Sequence, residues 1–139
     1  MIVLDTNVLS EFMRVEPETR VLAWVDAQPA MDLAVSAVTV AEVLHGIARL
    51  PSGKRKQKLE AHAMAMFEED FAGRILPFDA HAAVEYATLM AGAEANGRAV
   101  SMADAQIAAI CRSHGAAIAT RNVRDFGFSG IEVINPWEA

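Results

Sequence analysis

Three carboxylates in this chain of 139 residues occupy positions that solvation alone does not explain. Asp5 directly follows the apolar run Ile2-Val3-Leu4 and opens Asp5-Thr6-Asn7. An Asp there serves well as a helix N-cap, but the end of a buried strand is also where open α/β sheets bind ligands. Asp104 shares a helical face with Val100, Ile107, Ala108 and Cys111. A carboxylate on an apolar face is costly unless it is paired or metal-bound, and no cation lies one turn away in either direction, since Arg112 falls on another face. Glu42, within Val40-Ala41-Glu42-Val43-Leu44, reads by itself as a favourable charge in a first helical turn. Should the three converge, they repel: two unit charges about 4 Å apart cost about 4 kcal/mol at an effective dielectric of about 20. Such a cluster persists when a divalent cation neutralises it. Carboxylates and water suit Mg²⁺ or Mn²⁺, and the accompanying chemistry is phosphodiester hydrolysis.

A fourth region, Thr120-Arg121-Asn122-Val123-Arg124-Asp125-Phe126, offers oxygen atoms from Thr120, Asn122 and Asp125, and two arginines able to meet phosphates bidentately. Arg49, Lys54, Arg55, Lys56 and Lys58 form a second basic group, whose ordinary reading is a solvated helix start. Glu16, Glu18, Glu60, Glu68, Glu69 and Glu138 sit in polar surroundings and read as solvated.

The elements that position these residues follow from apolar periodicity and punctuation. Strands are expected at residues 2–4, 33–35, 74–78, 117–119 and 132–134. Helices are expected at 7–13, 18–27, 39–50, 54–71, 80–95 and from a Ser101 cap to about His114. Pro51-Ser52-Gly53, Asn96-Gly97 and Gly115 read as stops, and Asp79 as an N-cap. This alternation predicts an α/β fold with a central parallel sheet of about five short strands covered by helices on both faces. Asp5, Glu42 and Asp104 then lie at the carboxyl end of a strand or on a helix that starts there.

Composition bounds the answer. The length suits a single domain over residues 1–139, and 53% apolar residues can fill a core. A lone cysteine, Cys111, excludes an internal disulfide and reads as a small core hydrophobe. Asp5 interrupts the opening apolar run too early for a signal peptide, and no stretch is apolar for long enough to span a bilayer, so the cytoplasm is the expected location and no membrane partner is expected. The net charge of −6 argues against nucleic-acid binding by bulk charge alone.

The chain resembles the PIN-domain family, specifically its VapC-type toxins. Ile2-Val3-Leu4-Asp5-Thr6-Asn7 looks like the first family motif, and residues 36–46 with Glu42 like the second. Residues 101–109 with Asp104 are similar to the third, Thr120 through Asp125-Phe126 to the fourth, and Val133-Ile134-Asn135-Pro136-Trp137 to a common family ending. Each motif is loose, but five in order across nearly the whole chain are specific. The resemblance implies a three-layer α/β/α fold and Mg²⁺- or Mn²⁺-dependent cleavage of RNA to a 3′-hydroxyl and a 5′-phosphate. Asp5, Glu42 and Asp104 match the acidic ligands, with one cation or two between them. Some members carry Asp where this chain has Asn122. Asp125 matches a second acidic position and is expected as a weaker or water-mediated ligand, with Thr6, Asn7, Thr120 and Asn122 supporting. Arg121, Arg124, Arg49 and Lys54 are the candidates for holding the RNA backbone. The family further implies a homodimer and a cognate antitoxin protein that covers the acidic site, with the helices before Gly53 as its groove. The alternative reading is a catalytically inactive PIN domain that binds protein or RNA, which the Asn122 departure keeps open.

Other chemistries fit less well. A receiver-type phosphoacceptor, suggested by Asp79 after Ile75-Leu76-Pro77-Phe78, needs an acidic pair at the first strand and a late lysine, and none follows Lys58. A phosphatase with an Asp nucleophile wants a second acid two residues after Asp5, where Asn7 stands. A di-iron site built on Glu42 and His45 needs a second Glu-x-x-His, and there is none. The metal reading predicts that Asp104→Ala keeps its circular-dichroism spectrum and cooperative melt while RNA cleavage is lost; an unfolded variant would make the carboxylate structural.

Overall fold

The computed structural model describes residues 1–139. Five strands run in the order β1 (Ile2–Leu4), β2 (Leu33–Ser36), β3 (Ile75–Leu76), β4 (Ala117–Ala119) and β5 (Val133–Ile134). Six α-helices accompany them: α1 (Thr6–Glu11), α2 (Thr19–Ala27), α3 (Ala37–Ala48), α4 (Lys54–Ala65), α5 (Ala80–Ala95) and α6 (Met102–His114). The sheet is wholly parallel, with spatial order β3-β2-β1-β4-β5. Its register pairs Ile2 with both Leu33 and Ala117, and Leu4 with Ala119.

The chain builds outward from β1 to β3 on one side, then returns past β1 to add β4 and β5 on the other. Right-handed crossovers in opposite directions place their helices on opposite faces, and the core divides accordingly. Leu4, Leu33, Val35 and Ala119 pack with Val8, Leu9, Val21, Val43, Ile47 and Ala63 from the first four helices. Val3, Ala34 and Ile118 point the other way, against Leu89 of α5 and residues 107–111 of α6. Adjacent strand residues serve different cores, as the pleat requires, and burial on both faces is why the strands read as continuous apolar runs. The three-layer α/β/α expectation holds.

The differences are local. α3 begins at Ala37, two residues early, because Ser36 ends β2 and at once caps the helix, its Oγ accepting from Thr39 N at 3.0 Å. The helix expected over 54–71 is α-helical only to Ala65; Met66–Asp70 form a π turn, with Phe71 N donating to Met66 O at 3.1 Å. Met66, Phe67 and Phe71 all reach the core from this turn and the residue that closes it. β3 covers two residues rather than 74–78, because Pro77 has no N–H to continue the ladder. α1 ends at Glu11 rather than 13, and β5 begins at Val133 rather than 132. Gly115 stops α6 in the left-handed region at φ 61°, and Asp79 caps α5, as expected. No helix is long and apolar enough to cross a membrane.

Cys111 is fully buried in the α6 core, and burial, with the Asp5 charge adding, pushes its thiol up to about 12. Iodoacetamide at pH 8 is expected to leave Cys111 unmodified in the native protein and to alkylate it in guanidinium, read by mass spectrometry.

Candidate functional site

The crevice opens where the strand order reverses, at the carboxyl ends of β1 and β4, as expected for an open α/β sheet. Asp5 leaves β1 here. Its N–H still donates to Ala119 O in the ladder at 2.9 Å, while its side chain caps α1, with Oδ1 accepting from Thr6 N at 2.8 Å. The N-cap reading and the site reading of Asp5 are therefore both true. The other oxygen, Oδ2, accepts from Thr120 Oγ1 at 2.7 Å. Thr120 follows β4, is fully buried, and itself accepts from Asn7 Nδ2 at 3.2 Å and from Asn122 N at 3.1 Å. Asn7 Oδ1 in turn accepts from Arg121 N at 3.3 Å.

Glu42 comes from α3. It is exposed and sits in the second turn, so the helix-start rationale drawn from the sequence does not apply. Its partner is Thr6, whose Oγ1 donates to Glu42 Oε1 at 2.8 Å and lies 3.3 Å from the buried Thr39 Oγ1. Asp104 occupies the first turn of α6, where its N–H donates to the Ser101 cap at 3.1 Å. A cleft of about 440 Å³ brings Asp5, Glu42 and Asp104 together with Thr6, Asn7, Ser10, Arg121 and Asn122.

Asp5 is only 6% exposed, and its carboxyl is raised above the ordinary range: burial is the main cause, the Thr120 and Thr6 hydrogen bonds oppose it, and the Asp104 and Glu42 charges add to it. Asp104 is raised for the same first reason, with the Ser101 contact opposing and Asp125 and Glu42 adding repulsion. Repulsion and burial thus outweigh the favour that a helix start gives an acid. The donor set is all oxygen, as Mg²⁺ or Mn²⁺ requires. No three acidic groups close tightly enough to hold an ion by themselves, which fits a small cation that keeps several waters and takes one or two carboxylates.

The remaining candidates are spread around this centre. Asp125 lies exposed in the 3₁₀ turn Val123–Phe126, within electrostatic reach of Asp104 but not lining the cleft; Asn122 lines it instead. Arg121 is at the cleft wall, whereas Arg124 is exposed on the same 3₁₀ turn as Asp125 and does not line the cleft. Arg49 and Lys54 are exposed and do not line it either; from that basic segment Arg55 shares the adjoining cavity with Thr6 and Glu42. Asp79 is a surface cap accepting from Ala82 N at 3.0 Å, and that hydrogen bond holds its carboxyl below the ordinary value.

Three lining residues had no role in the sequence reading: Ser10, Glu11 and Trp137. Glu11 is 4% exposed, with Oε1 accepting from Glu18 N at 2.8 Å and from Arg14 Nη1 at 3.1 Å. Its signal was available: Glu11 lies one turn after Asn7 on the same helix face. Trp137 stands in the C-terminal 3₁₀ turn Pro136–Glu138.

A PIN-domain sequence profile matches residues 2–129. The chain belongs to the PIN-domain family. Among relatives, VapC ribonuclease Y4jK of Sinorhizobium fredii is 46% identical over 138 residues, 99% of each chain. Plasmid stability protein StbB of Pseudomonas syringae pv. tomato is 48% identical over 143 residues, covering both chains completely. The crystal structure of FitAcB from Neisseria gonorrhoeae contains a chain that superposes with a TM-score of 0.95 at 42% identity over the full length of both. The fold of this PIN domain is thus that of its solved relative.

The raised acids fix the sign of a pH effect. A carboxyl whose folded pKa exceeds its unfolded value stabilises the fold most when protonated, below the unfolded value of 3.8, and that contribution is lost as pH rises through the folded pKa. Asp104→Asn removes the penalty of the ionised form. In EDTA at pH 7 its Tm is expected to exceed that of the parent, with the gap closing towards pH 4. A lower Tm at pH 7 would mean that the ionised carboxylate stabilises the fold.

Proposed function

We propose that this PIN domain is a Mg²⁺- or Mn²⁺-dependent endoribonuclease, the toxin of a toxin–antitoxin pair, working as a homodimer under the control of an antitoxin protein. The observation that carries the reading is the convergence of Asp5, Glu42 and Asp104 in one cleft at the switch point, with two of the three raised by burial and mutual repulsion. Relatives named as a VapC ribonuclease and as the toxin FitB, similar over nearly their whole lengths, support it.

Asp5, Asp104 and Glu42 would hold the cation, one or two of them directly and the rest through its waters. When bound, it supplies an acidified water and neutralises the charge that develops at phosphorus. Thr120 holds the Asp5 carboxylate by its 2.7 Å hydrogen bond, and Thr6 aims Glu42 from the first residue of α1. Asn122 contributes a neutral amide at the wall, and Arg121 a guanidinium for a phosphate oxygen. Arg124 and Asp125 stand on the rim beside them. Contacts of this kind position the RNA backbone without reading its sequence.

The test is cleavage of total cellular RNA by the purified, partner-free protein with Mn²⁺, Mg²⁺ or EDTA. Discrete fragments that need metal and vanish in Asp5→Asn and Asp104→Asn are expected. Thr120→Val, which removes only the hydroxyl behind Asp5, is expected to lose about ten- to a hundredfold in rate. Fragments that survive in both Asn variants would point to a contaminating enzyme. No cleavage with any metal from a folded protein would leave the binding-only reading.

A further inference from the structure

The acidic cleft has one apolar side chain in its wall, Trp137. The residue is held through its backbone and its ring. Arg20 Nη1, on α2, donates to Trp137 O at 3.0 Å; Trp137 N donates to Asn135 Oδ1 at 3.0 Å; and one side of the indole packs against the core beneath the first four helices. Over its face lies the guanidinium of Arg121, with Cζ 5.3 Å from the ring centroid. Arg121 is exposed, stands beside three carboxylates, and pairs with none of them; the ion pairs of the chain are Arg14–Glu11 and Arg112–Glu85. Its guanidinium sits over the indole instead.

A guanidinium placed over an aromatic ring and paired with no carboxylate offers the site more than its charge. As a surface it does much: a guanidinium plane on an indole presents a flat, pre-ordered platform on which a nucleobase stacks, while the N–H edge stays free for a phosphate. We propose that Trp137 and Arg121 form a base-stacking subsite that seats one unpaired nucleobase of a single-stranded RNA beside the acids. The inference rests on the ribonuclease reading for its ligand. It assigns Trp137 and the flat face of Arg121 a role in substrate selection: RNA whose bases are splayed out of a helix is held, and duplex RNA is not, because only unpaired bases expose a face.

The experiment uses a short single-stranded oligoribonucleotide that the wild type cuts, and a series carrying one abasic nucleotide at successive positions around the cut. Expected is one position at which loss of the base raises KM by about five- to a hundredfold while kcat moves far less. Trp137→Leu and Arg121→Lys, the latter keeping the charge and losing the plane, are expected to raise KM on the intact RNA and to stop discriminating that abasic position, whereas Trp137→Phe keeps the discrimination. Arg121→Lys alters an exposed side chain and decides the matter if Trp137→Leu fails to fold. Variants that still discriminate the abasic position, or a wild type indifferent to every one, would overturn the subsite. If the wild type cuts no RNA, the ribonuclease reading fails by itself; fluorescence anisotropy of the labelled series then judges the platform, and equal Kd for intact and abasic RNA overturns it.

Discussion

A single buried hydroxyl joins the two strands that make the site. Thr120 Oγ1 donates its one proton to Asp5 Oδ2 at 2.7 Å and accepts from Asn7 Nδ2 and Asn122 N, so its hydrogen-bonding capacity is fully used. Asp5 needs this partner, because burial and two neighbouring carboxylates all work against its charge. The same hydroxyl fixes the loop after β4, which carries Asn122 and Arg121 to the cleft wall. The charge of Asp5 and the path of the loop after β4 therefore share one side chain, and an apolar residue of the same shape would remove a partner from Asp5, Asn7 and Asn122 alike.

The rest of the fold supplies what that arrangement consumes. Every buried side-chain polar atom has a partner, including those around the second buried acid, Glu11, which is satisfied by a backbone N–H and an arginine. Carboxylates held above their ordinary pKa are a standing destabilisation, concentrated in one cleft. Apolar cores on both faces of the sheet offset it, the usual distribution when a functional site departs from what stability alone would choose.

How much of this is legible in the sequence depends on whether the signal is local. Ser101 and Gly115 bound α6 by their own chemistry, and Asp104 stands out against the apolar residues on its own helix. Asp5 is visible because a strand ends under it. Glu42 is legible as a member of the cluster but not in its geometry. Ser36 closes a strand and opens a helix with no loop between, so the helix starts earlier than the punctuation suggests and Glu42 falls two residues further in, into the second turn. Likewise the π turn after Ala65 has no breaker residue to announce it. The place of Trp137 is set by Arg20 and Arg121, each distant in sequence, and no window around the C-terminus contains them.

β1 and β4, the strands that end at Asp5 and Thr120, are interior strands, each paired on both sides. Interior parallel strands under two cores are the last parts of a domain to open, and their amides exchange with solvent only as the whole domain unfolds. A cleft rooted there is held by the most protected part of the fold. The carboxylates therefore keep their spacing without help from a mobile loop, and a molecule that enters the cleft meets them already in place.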